Sequence, residues 1–390
     1  MSAGNLMVIQ GGGPTAVFNM SLISIVEEAL QQPRIGKIFG ARSGMKGLSS
    51  GDIVDLSLVP SADLAAIANS PGAALGSSRF KPTDQDLERC VQCLRHLHIR
   101  YLIFMGGNGT MRGAHAFGEF CRNAHFDVQI IGVPKTIDND IAATDRCPGF
   151  GSAARFVAQS TLDLSMDIRS LPQPVSIFET LGRDVGWLAA SASLARRTPD
   201  DAPQLIYVPE IPFSVSAFLS DLDAVVSRIG WAVVVVSEGI SYPDGSSVFE
   251  QKIASHPGLP NRPLIGGVAQ YLSGIVAELL GIRCRSEKPG LIGRSSMAHV
   301  SEQDRSDAAL VGREGVRALM SGATGQMVTL LSLAVGPAQA SELVELSRAA
   351  GSSRRIPDKW LTTGGSTVTQ DFVEYVRPIV SELSYYNLIP

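Results

Sequence analysis

Residues 132–140, Gly-Val-Pro-Lys-Thr-Ile-Asp-Asn-Asp, gather an ammonium, a hydroxyl, an amide and two carboxylates behind one proline. In extended backbone, side chains two apart point the same way. Two carboxylates so close, Asp138 and Asp140, suit the pairing of a general base with a metal ligand. Lys135 beside them carries the charge that a transferring phosphoryl group needs. For the Asp-Asn-Asp alone, a solvated Asx turn after a strand is the default reading. The elements around the cluster have to decide between the two readings.

Those elements form a pattern. The mainly apolar run 128–133 reads as a short buried strand, and Pro134, lacking an N–H, ends it. Residues 6–10 form another strand, feeding Gly11-Gly12-Gly13-Pro14-Thr15 and a helix over 16–29. Strand 101–105 runs into Gly106-Gly107-Asn108-Gly109-Thr110 and a helix from about Met111 to Asn123. Turn and helix N–H groups converging after a strand make an anion site. The first turn lacks the G-x-G-x-x-G spacing of a dinucleotide fingerprint. Between them, 72–81 is a Gly/Ser loop carrying Arg79 and Lys81, cations suited to phosphate. Thr83 opens a helix to Leu97, with Asp84 and Asp86 in its first turn.

A second series occupies 150–292: a helix from 149 to 170, a strand at 175 leading to Arg183, a strand at 205 ending near Glu210, and Trp231–Gly239, whose four consecutive valines deliver Glu238 to its carboxyl end. The alternation predicts an α/β protein of two domains with mainly parallel sheets flanked by helices. Segment 241–263 is expected to loop out. A helix to about Ser321 and a strand from Gly325 precede a mixed tail in which no chemistry is legible.

Composition bounds the partners. With 390 residues, 45% of them hydrophobic, the chain can fill two cores. A net charge of −4 offers nothing to nucleic acid or a membrane surface, and no apolar run reaches the ~20 residues of a membrane span. Five scattered cysteines with no signal peptide ahead point to a reducing cytoplasm. Cys90-x-x-Cys93, without a second pair, reads as structural.

Taken in order, Gly11–Asn19, Leu75–Arg79, Gly106–Thr110, Pro134–Asp140, Glu179–Arg183, Pro209-Glu210 and Ser237–Gly239 resemble the phosphofructokinase family over roughly residues 5–335. The resemblance implies two Rossmann-like domains: a phosphoryl-donor domain over 1–149 completed by a return segment, 293–345, a sugar-binding domain over 150–292, and a tail, 346–390. By position it makes Asp138 the base on the sugar hydroxyl, with Lys135, Thr136, Asp140 and Arg183 completing the catalytic set. Gly12, Gly13, Arg79, Gly107, Asn108, Gly109 and Thr110 become donor-binding. Leu181, Gly182, Arg183, Glu238, Arg285 and Arg294 become acceptor-binding, Arg285 serving a neighbouring subunit, so a homodimer or homotetramer is implied. Asn108 and Asp140 are the implied ligands of Mg²⁺.

Lys135 matches the pyrophosphate-dependent branch, since ATP users carry Gly there, although Gly109 stands where many pyrophosphate users have Asp. The implied reaction is phosphoryl transfer from pyrophosphate to a sugar phosphate, fructose 6-phosphate first. Three departures stand out. Asn108 replaces the family's usual Asp, which implies weaker metal binding. Pro174 replaces an Arg on the 6-phosphate, and Leu291 replaces His or Tyr. They keep open ATP as donor, another sugar or polyol as acceptor, and a non-catalytic ligand-binding subunit. A protein of the NAD-kinase or lipid-kinase type shares the Gly-Gly-Asn-Gly-Thr turn but predicts no acceptor site at 179–183.

Overall fold

The structure is a computed structural model; it describes residues 4–170, 172, 174–251, 264–333, 340–351, 353–362 and 366–387. In chain order its strands are β1 (Gly4–Gln10), β2 (Ile35–Ala41), β3 (Ile53–Asp55), β4 (Ile99–Gly106), β5 (Gln129–Pro134), β6 (Val175–Thr180), β7 (Leu205–Tyr207), β8 (Ala232–Ser237), β9 (Glu250–Gln251), β10 (Leu264–Ile265), β11 (Cys284–Glu287), β12 (Gln326–Leu330) and β13 (Ser341–Glu345). They fall into two compact units, Met1–Phe150 with Glu302–Arg354, and Gly151–Ser301 with Arg355–Pro390. The return segment thus begins at Glu302 rather than 293. The tail is not a separate piece: it is divided between the units after Arg354.

The first unit holds a seven-stranded sheet in the order β13-β12-β5-β4-β1-β2-β3. All pairs are parallel except the two outermost, β2 with β3 and β12 with β13. Its central strands β1, β4 and β5 are mainly apolar because both faces are covered. Leu6 and Val8 of β1 pack with Leu22 and Ile25 of helix Phe18–Leu30 and Val311 and Leu319 of helix Glu302–Ser321. The alternate residues Met7 and Ile9 pack with Cys90 and Leu94 of helix Asp84–His96 and Met111 and Phe117 of helix Asn108–Asn123. Cys90 therefore serves the core, and burial pushes its thiol up to about 12. All five cysteines are free.

Register aligns three strand ends. Gln10 pairs with Met105, and Gly106 with Pro134, so β1, β4 and β5, adjacent in the sheet, end level with one another. Ligands of open α/β sheets bind beyond such carboxyl ends.

The second unit has a four-stranded, all-parallel sheet, β11-β6-β8-β7, and a two-stranded antiparallel piece of β9 and β10. The valines of β8 are completely buried. Part of the segment expected to loop out, 252–263, lies outside the described residues. The tail that carried no legible chemistry has a structural task here. Trp360, Phe372 and Tyr375 enclose buried Trp187 at ring-centroid separations of 6.0, 6.0 and 5.5 Å. Among the described residues no helix is long and apolar enough to cross a membrane.

Candidate active site

Three chain segments meet beyond β1, β4 and β5 in the first unit. Gly106 has no side chain because a Cβ there would lie 2.2 Å from Thr110 Oγ1, and the same hydroxyl is 2.6 Å from the Cβ position of Gly11. The two glycine turns are thereby in contact through Thr110. The second is not a free turn: helix Asn108–Asn123 begins inside it, with Gly107 as its N-cap residue. The sequence hid this start, because Asn-Gly-Thr has turn chemistry and poor helix propensity. Asn108, Gly109 and Thr110 consequently form the first helical turn, the end of a helix that favours an anion, although Thr110 N already donates to Gly107 O at 2.8 Å.

Lys135, 3% exposed, brings in the third segment. Its ammonium donates to Gly13 O, sits 4.8 Å from the Phe18 ring centroid, and lies 3.3 Å from where a Gly12 Cβ would be. Gly12 adopts φ +78°, open to glycine at no steric cost. A buried cation thus stands against the first glycine turn.

The acidic turn departs from the extended backbone that the two-residue spacing assumes. Asn139 is fully buried at φ +52°, in the left-handed region; Asn is among the few side chains that tolerate it. Local hydrogen bonds, not strand alternation, therefore orient Asp138 and Asp140. Thr136 Oγ1 accepts from Asp138 N at 3.0 Å and donates to Asp140 Oδ1 at 3.1 Å. Asn108 Nδ2 donates to Asp140 Oδ2 at 2.7 Å and to Asp140 O at 3.1 Å. Thr136, Asp138, Asp140 and Asn108 are thus one connected group.

The residues present suit Mg²⁺. Asn108 Oδ1 is buried with no hydrogen-bond partner among the described residues, and such an orphaned acceptor calls for an ion or water. One carboxylate and one carbonyl oxygen match a cation that keeps several waters and takes its other ligands from phosphate.

Arg79 is exposed, on a loop laced to the first glycine turn. Gly72 N donates to Thr15 O (3.1 Å), Ala74 N to Asn19 Oδ1 (2.8 Å), Leu75 N to buried Gln10 Oε1 (3.0 Å), and Ser77 Oγ to Gly12 O (2.6 Å). Sequence reasoning missed this lacing by Gln10, Asn19 and Ser77. Gln10 and Asn19 were detectable as amides at otherwise apolar positions of a buried strand and helix.

In the second unit, Thr180 pairs with Ser237, so the turn Leu181-Gly182-Arg183 and Glu238 leave adjacent strand ends. Ser237 Oγ donates to Gly182 O, and Glu238 N donates to Thr180 O at 3.0 Å. Burial and then the neighbouring Glu179 push the Glu238 carboxyl up, while Arg183 and Lys288 pull it back. Glu179 is buried, accepting from Gly267 N and Ala269 N at the start of helix Val268–Leu280, with Lys288 Nζ at 3.1 Å. Arg285 is exposed on edge strand β11, Arg294 lies in the short helix Ile292–Ser295, and Leu291 before it is 62% exposed.

A family model described as Phosphofructokinase matches residues 5–319. Over 389 residues the chain is 34% identical to the pyrophosphate–fructose 6-phosphate 1-phosphotransferase of Xanthomonas campestris pv. campestris (strain B100), across 97% of this chain and 92% of that protein. A sulfofructose kinase from Alkalicoccus urumqiensis is 33% identical over 321 residues, 82% of this chain and 81% of that one. The crystal structure of a pyrophosphate-dependent phosphofructokinase from Marinobacter aquaeolei shares the fold at a TM-score of 0.87 and 31% identity, over 99% of this chain and 94% of that one.

Proposed function

The chain belongs to the phosphofructokinase family, and from that premise we propose that it transfers a phosphoryl group from pyrophosphate to fructose 6-phosphate. The observation that carries the donor assignment is the buried Lys135 ammonium against the Gly11–Gly13 turn. A fixed cation there supplies charge that a nucleotide does not need and pyrophosphate does.

In the proposed step, Asp138 takes the proton of the sugar hydroxyl as its oxygen attacks phosphorus. The P–O bond of pyrophosphate breaks and inorganic phosphate leaves. Lys135 and the N-terminus of helix Asn108–Asn123 hold the donor's charge in place. Asp140 and Asn108 would hold Mg²⁺, which when bound neutralises phosphate charge. Leu181, Gly182, Arg183, Glu238, Arg285 and Arg294 take the acceptor, and Arg183 is also assigned to the catalytic set. Exposed Arg285 supports a homo-oligomer in which it serves a neighbouring copy, and five free cysteines support a cytoplasmic setting.

The test is phosphate release from pyrophosphate with Mg²⁺ and fructose 6-phosphate, against ATP in place of pyrophosphate. Turnover with ATP alone would overturn the donor assignment, and turnover with neither would return the chain to ligand binding. Lys135→Met keeps the stem on Phe18 but removes the charge. It is expected to lower kcat/KM for pyrophosphate about 10²-fold and leave any ATP-supported rate unchanged.

A second acceptor reading rests on Pro174 and Leu291, which supply no cation where the family's phosphate clamp has Arg and His or Tyr. A sulfonate carries less charge than a phosphate monoester, and one relative is named a sulfofructose kinase. Sulfofructose offered beside fructose 6-phosphate separates the two: a higher kcat/KM for the sulfonate would establish the second reading.

A further inference from the structure

We infer that Arg354 is a positioning residue for the catalytic base, an inference that rests on the phosphoryl-transfer reading above. Its side chain donates through Nη1 to Asn139 O at 3.3 Å, and its backbone N donates to Asp140 O at 2.8 Å. It comes from 215 positions further along the chain and is the last residue of the first unit. No family motif read in the sequence includes it.

The turn it grips carries backbone strain at Asn139, φ +52°, and Ala143 beyond it is left-handed too, φ +63°. A left-handed, non-glycine residue persists only where the surroundings over-determine it. Thr136 and Asn108 hold Asp138 N, the Asp140 carboxylate and Asp140 O. Arg354 adds the contact to Asn139 O, the carbonyl of the strained residue itself. Together with its backbone N, which holds Asp140 O, it fixes the two successive peptide carbonyls on either side of the Asp140 Cα. Asp138 precedes both, so rotation of the turn would swing the base away from the hydroxyl it must deprotonate. The guanidinium touches backbone there, and its role is to hold the base rather than to react.

Arg354→Ala removes the side-chain contact and leaves the backbone N–H in place. It is expected to lower kcat about 10–100-fold, the scale of a displaced catalytic group. KM for both substrates should stay within about threefold, and amide hydrogens of residues 137–141 should exchange about tenfold faster. Arg354→Lys keeps a charged donor and should recover most of the loss. In an Asp138→Asn background, Arg354→Ala should cost less than about twofold more, because the base it serves is already gone. The inference is overturned by a kcat within twofold of the unaltered protein, by unchanged exchange at 137–141, or by losses that multiply fully in the double variant. If Arg354→Ala does not fold, Arg354→Met, which keeps the aliphatic stem and removes the donor, takes its place in the same exchange and kinetic measurements. An unaltered protein without turnover would refute the phosphoryl-transfer reading instead, and exchange at 137–141 would still settle whether Arg354 holds the turn.

Discussion

Asp138→Asn is expected to lower turnover by about 10²–10⁴-fold, the usual contribution of a general base, with KM for sugar and donor nearly unchanged. The amide matches the carboxylate in size, and the contact from Asp138 N to Thr136 Oγ1 is made by backbone and survives. A base acts only once the proton moves, so its loss falls on kcat and not on substrate binding. Steady-state kinetics with saturating pyrophosphate check this. A variant that retains near-normal turnover would remove Asp138 from the role. A raised KM at unchanged kcat would make it a binding group instead.

The second large effect concerns the platform behind the turn. Arg146 and Asp307 are 3% and 4% exposed and form a bidentate pair, Nε to Oδ2 at 2.6 Å and Nη2 to Oδ1 at 2.8 Å. Asp304 accepts from Gly149 N at 2.8 Å on the same helix, and Arg146 also donates to Leu331 O. Asp307→Ala leaves a buried guanidinium with only that carbonyl among these partners, and should cost about 3–5 kcal/mol of stability. Urea unfolding followed by far-ultraviolet circular dichroism would show a lower midpoint. Replacing both partners, Arg146→Met with Asp307→Leu, should recover most of the loss, because no charge remains buried. Equal destabilisation by the single and double changes would mean that packing, not charge, is at stake.

How much of this was legible in the sequence depends on how local the cause is. Strands β1, β4, β5 and β8 were readable because an apolar run that stops at Gly, Pro or an acid has few alternatives. So was helix Asp84–His96, whose Thr83 and Asp86 form the reciprocal cap seen in the structure. The start of helix Asn108–Asn123 was misread, since packing against β4 and β5 overrides the turn preference of Asn-Gly-Thr. The φ of Asn139 could not be foreseen from alternation, because a single left-handed residue cancels the period-two argument without changing composition. Arg354 and Asp307 were out of reach for a different reason. Each acts on a partner more than a hundred positions away, and without a fold nothing links them.

The interleaved order of the two units has a consequence for synthesis on the ribosome. Strand β5 ends at Pro134, but its neighbour β12 starts only at Gln326, and helix Glu302–Ser321 and Arg354 also come late. At about 5–20 residues per second, the gap lasts on the order of 10–40 s. Throughout it, one side of β5 is an unpaired edge open to other nascent chains. Residues 151–301 emerge within that interval, but the unit they belong to is closed only by residues 355–390, so the growing polypeptide stays catalytically silent until that last stretch emerges.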